Sequence, residues 1–325
     1  MRLFDEQVDP KPSDGDLYTS WGLRRLLGLP SVGPSRARAL AEHFHRWSAL
    51  AEATEAEMCE VLGTAGRAAH LGIDYAVEPA PTPDGITVIG AFDPEWPEWM
   101  SVVRDAPVVI YVRGSLPTGR RIAVVGTREP TQFGESVVRK TVAEAASRGV
   151  GVVSGLALGI DASAHIAALE ESAPTWAILG GGVDVPTPSS NRDLAERILE
   201  AGGGLVSEQP PGSEPNAQRL VARNRLQAAS SDAVVVAQCG IPSGALHTAR
   251  FALAQGRPLV VPRPRAPWDE EPQSAGNMAL TDPLGCSPKV VQATGRLATL
   301  LAGRRPLADV VVHTAEDLSA IWDHQ

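Results

Sequence analysis

The sequence predicts an α/β protein with a doubly wound, mostly parallel sheet, preceded by a small all-helical domain. Three observations carry this. Six short runs, "RIAVVG" (121–126), "GVGVVSG" (149–155), "TWAILGG" (175–181), "GGLVSE" (203–208), "DAVVVAQ" (232–238) and "PLVVP" (258–262), are nearly continuously apolar, as strands are when helices cover both faces of a sheet. Between them, residues 132–148, 161–171, 190–201, 218–229 and 244–256 carry apolar residues at helical spacing, and such alternation makes neighbouring strands parallel. Upstream, "EPAPTPDGI" (78–86) is a proline-rich break between two differently patterned regions.

In chain order, residues 1–19 read as a polar, loosely attached N-terminus. Residues 20–77 form the helical domain, where "WGLRRLLGL" and "RARALAEHFHRWSALAEA" have helical spacing around a "PSVGPS" turn. "LLGLPSVGPSRARALAEHF" resembles a helix-hairpin-helix unit, in which Gly33 lets the chain turn and free amides at the second helix's N-terminus face a phosphate. The other reading is a sterile-alpha-motif-like packing domain without nucleic-acid contact, because Arg36 and Arg38 lie near the acids of 42–60. Residues 78–86 link it to the main domain, 87–325. That domain opens with a strand, a turn around Asp93–Pro94, a short helix and a second strand. The strands and helices named above follow. Beyond residue 263 come a Pro-rich loop, a helix over 289–302, a strand in "ADVVVHT" and a closing helix in "AEDLSAIW".

At 325 residues and 43% hydrophobic content, the chain can bury one large core and a smaller one. It lacks a run of 18 apolar residues, so no membrane span is expected. Its N-terminus lacks the apolar centre of a secretory leader, which makes the cytoplasm the expected location. Cys59, Cys239 and Cys286 are scattered, without disulfide or metal-ligand spacing; buried thiols and no metal are expected. The net charge of −9 is uneven. Residues 120–265 carry 15 Arg and Lys against 13 Asp and Glu, a net of +2, which leaves −11 for the rest. The middle therefore permits an anion site that the flanks do not.

Ligands of doubly wound sheets bind at the carboxyl ends of the strands, so the residues following each strand are the candidates. Gly126, Thr127 and Arg128 follow the first. Ser154 and Gly155, then Gly159 and Asp161, follow the second. Gly180, Gly181, Gly182 and Asp184 follow the third, and Ser207 and Glu208 the fourth. Ser243, Gly244 and Thr248 follow the fifth, with Arg223, Asn224 and Arg225 on the helix before it. Glycines let phosphates approach the backbone. The hydroxyls of Thr127, Ser154 and Ser243 donate at short range, and the guanidinium forks of Arg128, Arg223 and Arg225 match phosphate oxygens. The set suits a polyanion.

It does not suit NAD, because "GTREPTQFG" lacks the dinucleotide fingerprint, and no Walker pattern or nucleophile elbow is present. No cofactor is expected and no catalytic group stands out. Asp161 and His165 share a helix face; the expected roles are structural, with Asp161 capping the helix and His165 bonding a neighbouring loop. Asp184 and Glu208 are expected to organise loops. Aromatics are 5% of the chain, and only Phe133 and Trp176 lie near these motifs. A backbone-reading site with little base preference follows.

Six stretches together resemble a known family: "RIAVVGTREPTQFG", "VVSGLALGIDASAH", "AILGGGVDVPTPSSNRDLAERI", "LVSEQPPG", "RNRLQAASSDAVVV" and "SGALHTARFALAQGRPLVVP". In that order they are similar to the DNA-processing proteins called DprA or Smf. The resemblance implies an extended Rossmann-like fold and a homodimer that binds single-stranded DNA. It implies DNA protection and loading of the RecA recombinase during transformation, without enzymatic turnover. Matched residue by residue, it places Gly126, Thr127, Arg128, Ser154, Gly155, Gly159, Asp161, Arg223, Asn224, Arg225 and Ser243 in the DNA pocket. The chain departs at Leu158, where the family usually has a basic residue, and at Thr127, where it usually has serine. Residues 263–309 read as an insertion, and the winged helix that ends many members is not expected. Two other readings stay open. One is a nucleotide-processing enzyme resembling phosphoribohydrolases, although "ILGGGVDVPTP" lacks their glutamate. The other is a degenerate DprA-like partner protein in a defence system.

Overall fold

The computed structural model describes residues 15–294, 297–301, 305–314 and 317. The expected closing helix at 315–322 falls almost wholly outside them. The chain divides into two compact units, Met1–Val112 and Arg113–Gln325.

The first unit contains α1 (Ser20–Leu27), α2 (Pro34–Phe44), α3 (Trp47–Glu52), α4 (Glu55–Leu62) and α5 (Gly66–Ile73). Its core is Leu17, Leu23, Leu26, Leu40, Leu50 and Met58, all fully buried. Residues 15–19, read as part of a loose tail, are instead packed: the Asp16 backbone pairs with that of Arg46 in an isolated antiparallel β-bridge, and the Thr19 side chain caps α1 by accepting from Gly22 N–H. The pattern read as one helix across 36–53 breaks in two at His45. His45 has a φ of +60°, and its Nδ1 lies 2.7 Å from the Tyr18 hydroxyl. Thr54 and Glu57 form a reciprocal capping box that starts α4. The proline-rich stretch is tied to α1, where Arg24 donates to Thr82 Oγ1 at 3.2 Å and to the Ala80 carbonyl. Strand β1 (Ile86–Gly90) follows, then the expected short helix, which is a 3-10 helix over Glu98–Val102, and then β2 (Val109–Gly114).

The second unit carries the predicted parallel sheet. Its strands are β3 (Arg121–Gly126), β4 (Gly151–Ser154), β5 (Thr175–Leu179), β6 (Gly204–Ser207), β7 (Ala233–Gln238), β8 (Leu259–Pro262) and β9 (Val310–Val312). They lie in the order β6-β5-β4-β3-β7-β8-β9, each neighbouring pair parallel. The chain winds outward from β3 through β4, β5 and β6, then crosses back to β7 on the other side of β3. That reversal is where doubly wound sheets open a crevice. The crossover helices are α6 (Gln132–Ser147), α7 (Ile160–Glu170), α8 (Arg192–Glu200), α9 (Ala217–Ala229) and α10 (Gly244–Ala254).

Strand alternation sorts the core into two faces. Ile122, Val124, Val152 and Val235 pack against Val138 and Val142 of α6 and Ala164 and Ala168 of α7. Ala123, Val125, Val234 and Val236 pack against Ala228 of α9 and Ala245 and Ala249 of α10. Part of the 263–309 stretch belongs to this second face. Helix α11 (Ala275–Thr281) contributes Ala279 and Leu280 to it. Asn277 donates to the carbonyls of Val236, Ala237 and Pro262, and its Oδ1 accepts from Cys239 N–H at 2.7 Å. The single helix expected over 289–302 is two short ones, α12 (Pro288–Ala293) and α13 (Ala298–Leu301). Of the cysteines, Cys239 is buried, but Cys59 and Cys286 are half-buried rather than sealed.

Candidate functional site

A cleft of about 680 Å³ opens at the carboxyl ends of β3 and β7, inside the second unit. Its walls come from the turn after β3, the turn before α7, one face of α9, and the start of α10.

The two glycine turns are locked onto each other. Thr127 N–H donates to the Gln238 carbonyl at 2.7 Å, and the Thr127 carbonyl accepts from Ile160 N–H at 3.0 Å. Gly159 has a φ of +74° and presses on the Thr127–Arg128 backbone, where no β-carbon would fit. Its glycine thus serves a contact between turns. This packing leaves Gly126, Thr127 and Arg128 on the cleft wall, with Arg128 exposed.

The turn after β4 points inward. The Ser154 hydroxyl is fully buried and donates to the Val124 carbonyl at 2.7 Å. Gly155 sits against the Arg223 guanidinium, in contact too close for any side chain at 155. Asp161 does not cap α7, as expected from sequence; Gly159 holds that position and no side chain caps it. Instead the Asp161 carboxylate accepts from the backbone of Ala157 and Gly155 and stands 3.8 Å from Arg223 Nη2. Burial raises the Asp161 carboxyl, and Arg223 opposes the rise. Burial likewise lowers the Arg223 guanidinium, and Asp161 opposes that. An arginine stays charged in a protein, so Arg223 holds a positive charge against the Asp161 carboxyl.

Arg223 Nη1 donates to the Ile178 carbonyl at 2.9 Å and lies 3.4 Å from Gln227 Oε1. That leaves Arg223 Nε and Gln227 Nε2 buried without an acceptor, both on residues that line the cleft. Buried polar groups are ordinarily hydrogen-bonded, so two unpaired donors on cleft-lining residues mark this wall as a place under polar strain.

His165 is fully buried. Its Nδ1 lies 2.7 Å from Thr175 Oγ1, whose own proton goes to the Val152 carbonyl at 3.0 Å; His165 Nδ1 is therefore the donor. Burial first, and Arg223 second, push its pKa down to about 3. Its partner opens a strand, where sequence reasoning expected a loop. Arg225 gives both terminal nitrogens to Glu208, at 2.8 and 2.6 Å, and is not on the cleft wall. Asp184 accepts from Gly212 N–H at 2.8 Å and so organises its loop.

The cleft thus brings together Gly126, Thr127, Arg128, Asp161, Arg223, Asn224 and Ser243. Asn224 is oriented by a 3.3 Å bond to the Gly244 carbonyl, and Ser243 caps α10 by accepting from Ala245 N–H at 3.2 Å. Ser154, Gly155, Gly159 and Arg225 stand behind these residues. Sequence reasoning missed Gln227, although its place four residues after Arg223 puts it on the same helix face. It also missed Pro272 and Gln273, for which the sequence carries no signal. Trp176 is buried and donates to Ser115 Oγ at 3.0 Å, so it offers no ring to a ligand.

The family described as DNA recombination-mediator protein A matches residues 87–283, more than half of the chain. The chain belongs to this recombination-mediator family. A helix-hairpin-helix motif matches residues 23–75. Among relatives, the putative DNA processing protein DprA of Mycobacterium tuberculosis is 47% identical over 146 residues, 45% of this chain and 37% of that one. The DNA processing protein DprA of Bacillus subtilis is 36% identical over 176 residues, 53% of this chain and 59% of that one. The chain spans about half the length of the curated relatives it matches. The solved DprA of Streptococcus pneumoniae superposes with a TM-score of 0.72 at 23% identity, covering 93% of this chain and 97% of that one. A Helicobacter pylori DNA processing protein A, described for its single-stranded DNA binding mode, superposes at 0.56 and 24% identity, covering 74% and 96%. Both share the recombination-mediator fold. Among the described residues, no helix is long and apolar enough to cross a membrane, and no group of three or more His, Cys, Asp or Glu could hold a metal.

Proposed function

We propose that this chain binds single-stranded DNA in the cleft and reads its phosphate backbone. The observation that carries this is the exposed Arg128 on the wall of a cleft at the carboxyl ends of β3 and β7, backed by Arg223 and Gln227, which line the cleft and each keep one buried donor without an acceptor. Guanidinium and amide donors on glycine turns suit phosphate oxygens. His165 and Asp161 are committed to bonds within the fold, which favours binding over turnover. Membership of the recombination-mediator family supports the wider role: protection of incoming DNA by a cytoplasmic homodimer that assists RecA loading.

The test is anisotropy of a fluorescent oligothymidine across a salt series, with Arg128→Glu alongside. Wild type binds, with log K falling about 0.7 per phosphate contacted for each unit of log salt. Arg128→Glu binds at least about tenfold more weakly with an unchanged melting temperature. No binding at low salt, or binding indifferent to salt, overturns the proposal.

A further inference from the structure

We infer that Phe133 and Trp268 form a stacking platform for an unpaired nucleobase at the rim of the cleft. The inference rests on the reading that the cleft holds single-stranded DNA. It revises the expectation of a site that touches only the backbone.

The two rings stack with centroids 6.0 Å apart and planes 29° from parallel. Both residues are half-buried. Their elements are pinned by Gln238, which is fully buried at the end of β7. Its Oε1 accepts from Thr131 N–H at 2.9 Å, and its Nε2 reaches Thr131 Oγ1 at 2.9 Å and Ser274 Oγ at 3.1 Å. One amide thus clamps the start of α6, which carries Phe133, to the short turns over 268–274, which carry Trp268. Gly134 leaves room for this clamp, since a β-carbon there would strike Gln238 Oε1.

The rings themselves do not line the cleft, but each lies a few residues from one that does. Arg128 lines the cleft and lies five residues before Phe133; Pro272 and Gln273 line it and lie just beyond Trp268. A strand whose phosphates follow Arg128 carries its bases past these rings. Every base has a π-face, so such stacking adds affinity without sequence preference. Two aromatics rigidly held at the edge of a polar cleft have the chemistry for that contact.

The experiment compares an oligothymidine with an abasic strand of equal length, which keeps the phosphates and removes the bases. Wild type, Trp268→Ala, Trp268→Phe and Phe133→Ala are titrated, and melting temperatures are recorded. Wild type is expected to prefer oligothymidine by about tenfold. Trp268→Ala should bind both strands equally, at the wild-type abasic affinity, and Trp268→Phe should keep most of the preference. Intrinsic fluorescence quenched by oligothymidine in wild type should be reduced in Trp268→Phe. If wild type binds both strands equally, the platform is wrong and the phosphate reading stands. If wild type binds neither, both readings fall. If Trp268→Ala fails to fold, retention of the preference in Phe133→Ala together with unaltered quenching in Trp268→Phe overturns the platform.

Discussion

The Arg223 guanidinium occupies the space that a β-carbon on Gly155 would need. Arg223 cannot simply swing aside, because Nη1 is held by the Ile178 carbonyl and Nη2 faces Asp161. Gly155→Ala should therefore displace the guanidinium and break the buried Arg223–Asp161 pair, at a cost of about 3–5 kcal/mol. Urea unfolding measures it. Gly244→Ala is the control: a β-carbon there meets nothing within 4 Å, and stability should stay within about 0.5 kcal/mol of wild type.

His165 gives the fold an acid sensitivity of known sign. Its folded pKa is about 3, against about 6.5 in an unfolded chain. Between those values the unfolded chain takes up a proton that the native protein refuses. Stability is full above pH 6.5 and falls as the pH drops toward 3, by about 1.4 kcal/mol per pH unit from this group alone. His165→Asn keeps a donor toward Thr175 and removes the titration. The variant should be less stable at pH 7, but its stability should decline less steeply than wild type over that window. Parallel curves would refute the assignment.

Arg225 should prove structural. It is almost fully buried and makes a two-pronged bond to Glu208. Arg225→Ala leaves Glu208 stranded and should lose about 3–5 kcal/mol, whereas replacing both residues by methionine should be close to neutral. The double variant tests function as well as stability. If it folds and binds oligothymidine with the wild-type salt slope, Arg225 touches no phosphate; a shallower slope would place Arg225 in the interface.

How far the sequence reveals this molecule depends on the range of the interactions involved. The strands were legible because β3 and β7 are continuous apolar runs, which need no partner to be recognised. The break at His45 was not, because it rests on Tyr18, 27 residues away, and no glycine or proline marks it. Arg223 and Arg225 read as twin phosphate ligands, yet residues two apart on a helix do not face the same way. Spacing alone could have separated them, and only Arg223 reaches the cleft. Trp268 was hidden for a different reason. It sits in a proline-rich stretch without periodicity, and the Gln238–Ser274 bond that anchors that stretch spans 36 residues.

Leu158 offers a gain-of-function test. It is a large apolar side chain left 47% exposed, between Ala157, which lines the cleft, and Gly159, whose backbone presses on the Arg128 turn. A cation at this position would stand beside the proposed phosphate track, where the resemblance to the family expects a basic residue. Burial does not oppose the change, so Leu158→Lys should leave the melting temperature unaltered. Affinity for oligothymidine at low salt should rise about three- to tenfold, and the salt slope should steepen by about 0.7, the signature of one added phosphate contact on a single strand. Tighter binding with an unchanged slope would mean that the lysine stem, and not its charge, makes the new contact. An unchanged affinity would mean that the strand leaves the cleft before it reaches the α7 turn.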